Sequence, residues 1–176
     1  MNNFKDARKL AVAGILIAID IILTRNLSIE TPVVRIGFAF IAAGLQGALL
    51  GPVFGGLTGA AADLIGITLF PKLAGFFPGF TVSAFVRSFI YGYFFYQKDI
   101  NVKRIVMASV TSTVVVSLIM NTIWLKIITG NPFLALLATR LVSSGILMAV
   151  EIAVFSVILG RLVRESNKIL NRKNVM

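Results

Sequence analysis

Six apolar runs, at about 9–24, 32–50, 52–70, 79–96, 103–127 and 133–162, take up most of this 176-residue chain. A helix needs about 20 residues to cross the hydrocarbon core of a bilayer. Inside that core every backbone N–H and C=O must be bonded within its own segment, which restricts such runs to helices. The expected fold is an all-α integral membrane protein, with six transmembrane helices in one bundle and a single domain over residues 1–176. Composition agrees, with 57% hydrophobic and 14% charged residues and a mean hydropathy of +0.92. A soluble domain carries about 25% charged residues.

Turn-forming residues separate the runs: Thr31-Pro32, Gly51-Pro52, Pro71 with Pro78-Gly79, the charged stretch 97–104, and Gly130-Asn131-Pro132. Only Gly51-Pro52 divides the second run from the third, so these two are expected to form a tight helical hairpin. The first run follows Lys5, Arg8 and Lys9 but reads as a span, not a cleaved leader. It is long for a signal core, shows no small-residue cleavage site, and is followed by further spans.

Basic residues set the orientation, because cytoplasmic loops are enriched in Lys and Arg. With the N-terminus in the cytoplasm, 11 of the 17 basic residues fall inside, Arg25, Lys72 and Lys126 fall outside, and Arg35, Arg87 and Arg140 lie within spans. Both termini are then cytoplasmic, as an even number of spans requires. The net charge of +10 is mostly this topology signal, dispersed over short ends, and not a nucleic-acid surface.

Asp20, Arg35, Asp63, Arg87, Arg140 and Glu151 all lie within apolar runs. A charge at the centre of a spanning helix costs about 2.5–3.5 kcal/mol on insertion scales. From the helix rise, five of the six fall in the outer half of the bilayer. Glu151 falls near the inner side and reads as structural. Two readings of the outer set stand side by side. One is a set of internal ion pairs, Asp63 with Arg87 or Arg140, that fixes helix packing. The other is an outward-facing polar cavity, in which Arg35, Arg87 and Arg140 outnumber Asp20 and Asp63 and suit an anionic ligand with carboxylates or phosphates. Asn121 and Trp124 lie in the outer third of the fifth run. Trp124 is either an interfacial belt residue or a stacking surface for a planar ligand, with Asn121 supplying an amide. The apolar stretch Phe76-Phe77-Pro78-Gly79-Phe80 is either an interfacial anchor or a wall over the cavity.

Small residues recur at helical spacing on two spans. Gly51, Gly55, Gly59, Ala62 and Gly66 read as packing inside the bundle. Ala7, Ala11, Gly14 and Ala18 make a comparable stripe on the first span, equally able to pack internally or to face a partner subunit.

The order of several short segments resembles the folate-specific substrate-binding (S) components of energy-coupling factor vitamin transporters. They are Leu23-Thr24-Arg25-Asn26-Leu27-Ser28-Ile29, Thr31-Pro32, Arg35-Ile36-Gly37-Phe38, Leu50-Gly51-Pro52 and Gly59-Ala60. Further on come Ala62-Asp63-Leu64-Ile65-Gly66, Leu69-Phe70-Pro71, Phe77-Pro78-Gly79-Phe80-Thr81, Ser83-Ala84-Phe85 and Ile90-Tyr91-Gly92. The likeness covers roughly residues 23–95; Phe40 and Arg87 are less typical of that family. It implies a bacterial plasma-membrane subunit that captures folate, or a related anionic vitamin, from outside. Such a subunit has no ATPase of its own. It works with a transmembrane scaffold (T) subunit and two ATPase (A) subunits, and is thought to topple in the membrane to deliver its load. In that family a small-residue motif on the first helix docks the scaffold, which here points to Ala11, Gly14 and Ala18. Folate joins a flat pterin to a glutamate with two carboxylates. Asp63 would accept from the pterin amine and ring N–H, arginines would meet the glutamate, and Trp124, Phe80 and Phe38 would stack on the rings.

Other readings compete. One is an S component for another vitamin, although cationic thiamin does not suit an arginine excess. Another is a self-sufficient transporter driven by an ion gradient. An enzyme fits poorly, since hydrolytic chemistry needs a nucleophile with a base and the chain has neither Cys nor His. The same absence removes the commonest metal ligands. No phosphate-binding G-x-x-x-x-G-K-[ST] loop occurs, and no cofactor is expected.

Overall fold

The structure is a computed structural model, and it describes residues 3–25, 28–30, 35–71 and 76–159. The expected elements at Thr31-Pro32, Lys72 and the basic tail past residue 159 lie outside the described residues. Helix α1 spans Asn3–Arg25, α2 Ala39–Leu50, α3 Pro52–Leu69 and α4 Pro78–Phe95. A continuous helix then runs Val102–Thr129. It comprises α5 (Val102–Ser112), a π-helical stretch (Thr113–Met120) and α6 (Asn121–Thr129). Helix α7, Phe133–Val154, continues into a second π-helical stretch, Phe155–Leu159.

Three of these, Pro52–Leu69, Val102–Thr129 and Phe133–Val157, are long and apolar enough to cross a membrane by length and composition. Helix α1, 23 residues long, carries Lys5, Asp6, Arg8, Lys9, Asp20 and Arg25, and α4, 18 residues long, carries Arg87 with Thr81, Ser83, Ser88, Tyr91 and Tyr93. Helix α2, with 12 residues, is shorter.

The expected second span, 32–50, is corrected at its start. Arg35–Gly37 is a strand, β2, paired antiparallel with β1 (Ser28–Glu30) in the register Ile29↔Ile36 and Glu30↔Arg35. The fold of the described residues is all-helical apart from this short hairpin, and Arg35 sits on its second strand, not one turn into a helix. The physical reason is in the local sequence. Pro32 disfavours helical backbone before it, and Val33, Val34 and Ile36 are β-branched residues that fit a strand better than a helix.

The α2–α3 hairpin forms as expected. Gly51 turns the chain with φ 87° and ψ 174°, a conformation that disfavours a residue with a Cβ. Its N–H closes α2 on Gly47 O at 2.9 Å, and its carbonyl accepts from Gly55 N at 2.8 Å. Pro52 then opens α3 at a position where the missing N–H costs nothing.

Close backbone contact holds α2, α3 and α4 together. A Cβ added at Gly47 would collide with the Gly92 backbone N and with Ser88 O. One at Gly55 would stand 2.6 Å from Gln46 O. Lipid tails are as apolar as the side chains, so helices in a bilayer associate largely through such tight packing and interhelical hydrogen bonds. The stripe Gly51, Gly55, Gly59, Ala62 and Gly66 is buried throughout, as internal packing requires. By contrast Ala7, Ala11, Gly14 and Ala18 are all exposed on α1. Nothing approaches within 4 Å of a Cβ built at Gly14.

Two buried features fix the bundle further. Ser88 Oγ donates to Gln46 Oε1 at 2.8 Å, and Gln46 Nε2 donates to Asp20 Oδ2 at 2.9 Å. This relay ties α4, α2 and α1 with satisfied polar groups, which specify one packing arrangement. Farther along α4, Tyr91 and Phe95 stack at 5.8 Å, and the Phe155 ring meets Tyr91 edge-on at 5.4 Å and Phe40 at 5.5 Å. Those rings bring the end of α7 against α2 and α4.

Candidate functional site

Asp63 lies two-thirds of the way along α3 and is held from both sides. Thr81 Oγ1, in the first turn of α4, donates to its Oδ2 at 2.8 Å. Arg25, in the last turn of α1, brings Nη2 to 3.6 Å from Oδ1 and to 3.4 Å from the Asp63 carbonyl oxygen. The arginine side chain is 5% exposed and the aspartate 21%. The carboxylate is thus oriented yet still reachable. A cation also suits the C-terminal end of a helix such as α1.

One step along α4 an aromatic wall begins. Trp124 of α6 donates Nε1–H to Ser83 Oγ at 3.0 Å. Its ring lies 5.8 Å from that of Phe77, and Phe77 meets Phe80 edge-on at 6.0 Å. Gly79 permits this approach, since a Cβ there would stand 2.6 Å from Trp124 Cδ2. Asp63 and the ring wall therefore share one end of the bundle, where α1 and α3 finish and α4 begins. The first turns of α4 join them.

Deeper in the bundle, Arg87 of α4 donates from Nη2 to Ser117 Oγ at 3.2 Å, within the π-helical stretch. Arg87 borders a narrow crevice, with room for about one water, lined also by Ser112, Thr113, Ser144 and Glu151. Wide π turns recur at functional sites; here one carries Thr113 and Ser117 to the crevice. Arg140, two turns into α7, lies within repulsive range of Arg87. Its Nε is buried with no hydrogen-bond partner among the described residues, as is Asn121 Oδ1. Two arginines close enough to repel at low dielectric favour an anion nearby.

Several sequence-predicted residues are brought together and others are not. Asp63, Phe80 and Trp124 converge at one end. Arg87 and Arg140 share the deeper region, and Asn121 lies one turn before Trp124 on the same helix. Phe38 stands exposed at the start of α2, its ring 6.2 Å from Phe40. Asp20 belongs to the relay with Gln46. The side chain of Arg35 lies outside the described residues. Asp63 pairs with Arg25, where the ion-pair reading of the charges had Arg87 or Arg140. Glu151, read as standing apart near the inner side, lines the same crevice as Arg87 and accepts from Tyr91 OH at 2.7 Å.

Sequence reasoning gave no site role to Arg25, Thr81 or Ser83, whereas Phe77 belongs to the stretch read as a possible wall over the cavity. Arg25 reads as a topology charge because it ends an apolar run. The available signal was Gly66, one turn past Asp63, which leaves space for a flat cation.

The fold and the site together define a class: a bundle of membrane helices with polar and aromatic side chains gathered near one end. The chain matches the family described as "ECF transporter, substrate-specific component" over residues 8–159. It belongs to that family. It is 48% identical over 136 residues to the folate transporter FolT of Clostridium novyi (strain NT), covering 77% of this chain and 78% of the relative. It is 27% identical over 155 residues to the folate transporter FolT of Leuconostoc mesenteroides, covering 85% and 83%. Among solved structures it resembles FolT bound with folic acid, with a TM-score of 0.81 and 36% identity over 86% of this chain and 92% of that one. The relatives are transporters, and the chain is a multi-pass membrane protein of that family.

Proposed function

We propose that this chain is the folate-capturing subunit of an energy-coupling factor importer in the bacterial plasma membrane. It spans the membrane six times with both termini cytoplasmic, so the Asp63–Trp124 end of the bundle faces outward. The observation that carries this reading is the order of groups along α4. An oriented carboxylate and a ring wall come first, and an arginine-rich region lies beyond. That order complements a molecule with a flat, donor-bearing ring system at one end and carboxylates at the other. The naming of two relatives as folate transporters supports the same ligand.

In this reading Asp63, held by Thr81, accepts from the pterin amine and ring N–H. Trp124, Phe80 and Phe38 cover the rings, Asn121 supplies an amide, and Arg35, Arg87 and Arg140 meet the glutamate. Asp20 supports the site through Gln46. The exposed stripe of Ala11, Gly14 and Ala18 docks the scaffold subunit, through which two ATPase subunits drive delivery inward. The test is titration of the purified protein with folate, followed by Trp124 fluorescence and by calorimetry. Saturable binding below micromolar folate is expected. No binding at micromolar folate, or equal binding of thiamin or riboflavin, overturns the reading.

A further inference from the structure

Glu151 is buried, 5% exposed, on a helix that is otherwise apolar around it. Tyr91 OH donates to its Oε1 at 2.7 Å. That bond explains an acceptor at this position but not a charge, because the amide oxygen of a glutamine would accept equally well. A carboxylate inside a membrane helix is costly and is retained where it meets a partner. The partner stands across the crevice. Arg87 lines the same space as Glu151 and lies within attractive range of it. Arg87 donates to Ser117 Oγ at 3.2 Å, and among the described residues no direct ion pair joins it to the carboxylate. The gap has room for about one water, which Ser112, Thr113 and Ser144 could bond. It is too narrow for a carboxylate of a ligand, so Glu151 acts on Arg87 through its field and touches no ligand itself.

Arg87 is therefore coupled to two charges on α7 of opposite sign. Arg140 repels it, and Glu151, about three turns or roughly 16 Å farther along the helix, attracts it. We propose that Glu151 is the internal counter-charge of the arginine region, offsetting part of the Arg87 charge and holding folate affinity below what the two arginines alone would give. This rests on the reading that Arg87 meets a carboxylate of the ligand. A subunit that must hand its ligand on is served by such a brake. A packing role and a counter-charge role predict opposite signs. Removing a packing group weakens binding or leaves it unchanged, whereas removing a counter-charge tightens binding of an anion.

The experiment is calorimetry on the full-length protein at pH 8, well above the ordinary carboxylate range. It compares folic acid with its dimethyl ester, which keeps the rings and loses both negative charges. The proteins are the wild type, Glu151→Gln, which keeps an acceptor for Tyr91, and Glu151→Met, which keeps the volume without a polar atom. A unit charge about 8 Å away at an effective dielectric of about 20 changes anion affinity by about tenfold or more. Both variants are therefore expected to bind folic acid about tenfold or more tighter, with the ester at its wild-type constant. A variant that binds the ester as the wild type does but folic acid no tighter overturns the proposal. So does equal tightening of both compounds, which is not an effect of charge. Loss of both compounds in both variants makes Glu151 a structural residue and overturns it as well. Wild-type protein that binds neither compound removes the functional reading, and this assignment with it.

Discussion

Replacing Gly79 with alanine tests whether the ring wall positions the ligand or merely packs. The new methyl would stand 2.6 Å from Trp124 Cδ2, 2.8 Å from Trp124 Cε2 and 2.5 Å from Phe77 Cε1. Ordinary carbon contacts need about 3.5–4.0 Å, so the indole must retreat by roughly 1 Å. The Trp124 Nε1–Ser83 Oγ bond is 3.0 Å long and does not survive such a shift. Overpacking of this kind costs about 1–3 kcal/mol, and a lost hydrogen bond about 0.5–1.5 kcal/mol. If half of the combined cost of roughly 2–4 kcal/mol falls on the bound state, affinity drops by about five- to thirtyfold.

Trp124 is the only tryptophan in the chain, so intrinsic emission reports this one ring. The expected outcome for Gly79→Ala is an altered emission maximum before any ligand is added. A folate dissociation constant raised by about five- to thirtyfold should follow. The control is Gly14→Ala, where a Cβ meets nothing within 4 Å and both quantities should stay at wild-type values. Unchanged emission with unchanged affinity in Gly79→Ala would refute the idea that the Trp124–Phe77 contact shapes the site.

Three further outcomes are expected. Gln46→Leu breaks the relay between Ser88 and Asp20, leaving buried polar groups short of partners; thermal unfolding in detergent should show a loss of about 1–3 kcal/mol. Tyr91→Phe removes the 2.7 Å donor to Glu151 and should cost a similar 1–3 kcal/mol by the same assay, with the ring stacking on Phe95 retained. Gly14→Leu changes only an exposed face of α1. It should leave folate binding by the isolated subunit intact while abolishing ATP-dependent uptake in liposomes that also contain the scaffold and ATPase subunits. Preserved uptake would remove Gly14 from the docking face.

What could be read without coordinates was governed by what each property depends on. Helix positions follow from apolar length and from Gly and Pro, which act locally. The hairpin at Gly51-Pro52 and the buried stripe on α3 accordingly appear where the residues place them. The start of the second span did not, because Val33, Val34 and Ile36 raise hydropathy as helix residues do, and hydropathy alone does not register that they are β-branched. Site residues depend on which helices meet. Asp63 could be recognised as anomalous from its own position, but its partner could not be chosen among the arginines. The pairing with Arg25 is decided by α1 crossing α3 at Gly66. Thr81 and Ser83 carry no charge and give no signal until Asp63 and Trp124 are seen beside them.

Helix α4 explains how one small bundle tolerates so many polar groups. Ala84, Ser88 and Gly92 turn toward Gly59, Gln46, Gly47 and Pro52, so α2 and α3 pack on it through backbone and short side chains. Thr81, Ser83, Arg87 and Tyr91 serve Asp63, Trp124, Ser117 and Glu151, each on a different element from α4. Close packing on the first set supplies the stability that lets the second set hold oriented but incompletely bonded groups. Helices α6 and α7, which carry Trp124, Asn121 and Arg140, expose most of their surface and bury few residues of their own. The proposed binding groups are therefore split between a tightly packed half and a loosely packed half, with α4 as the wall they share. In that reading a ligand spanning Asp63, Trp124 and Arg140 adds to the few bonds the halves already make, Ser83 with Trp124, Arg87 with Ser117 and Tyr91 with Glu151, so its capture should tighten the bundle.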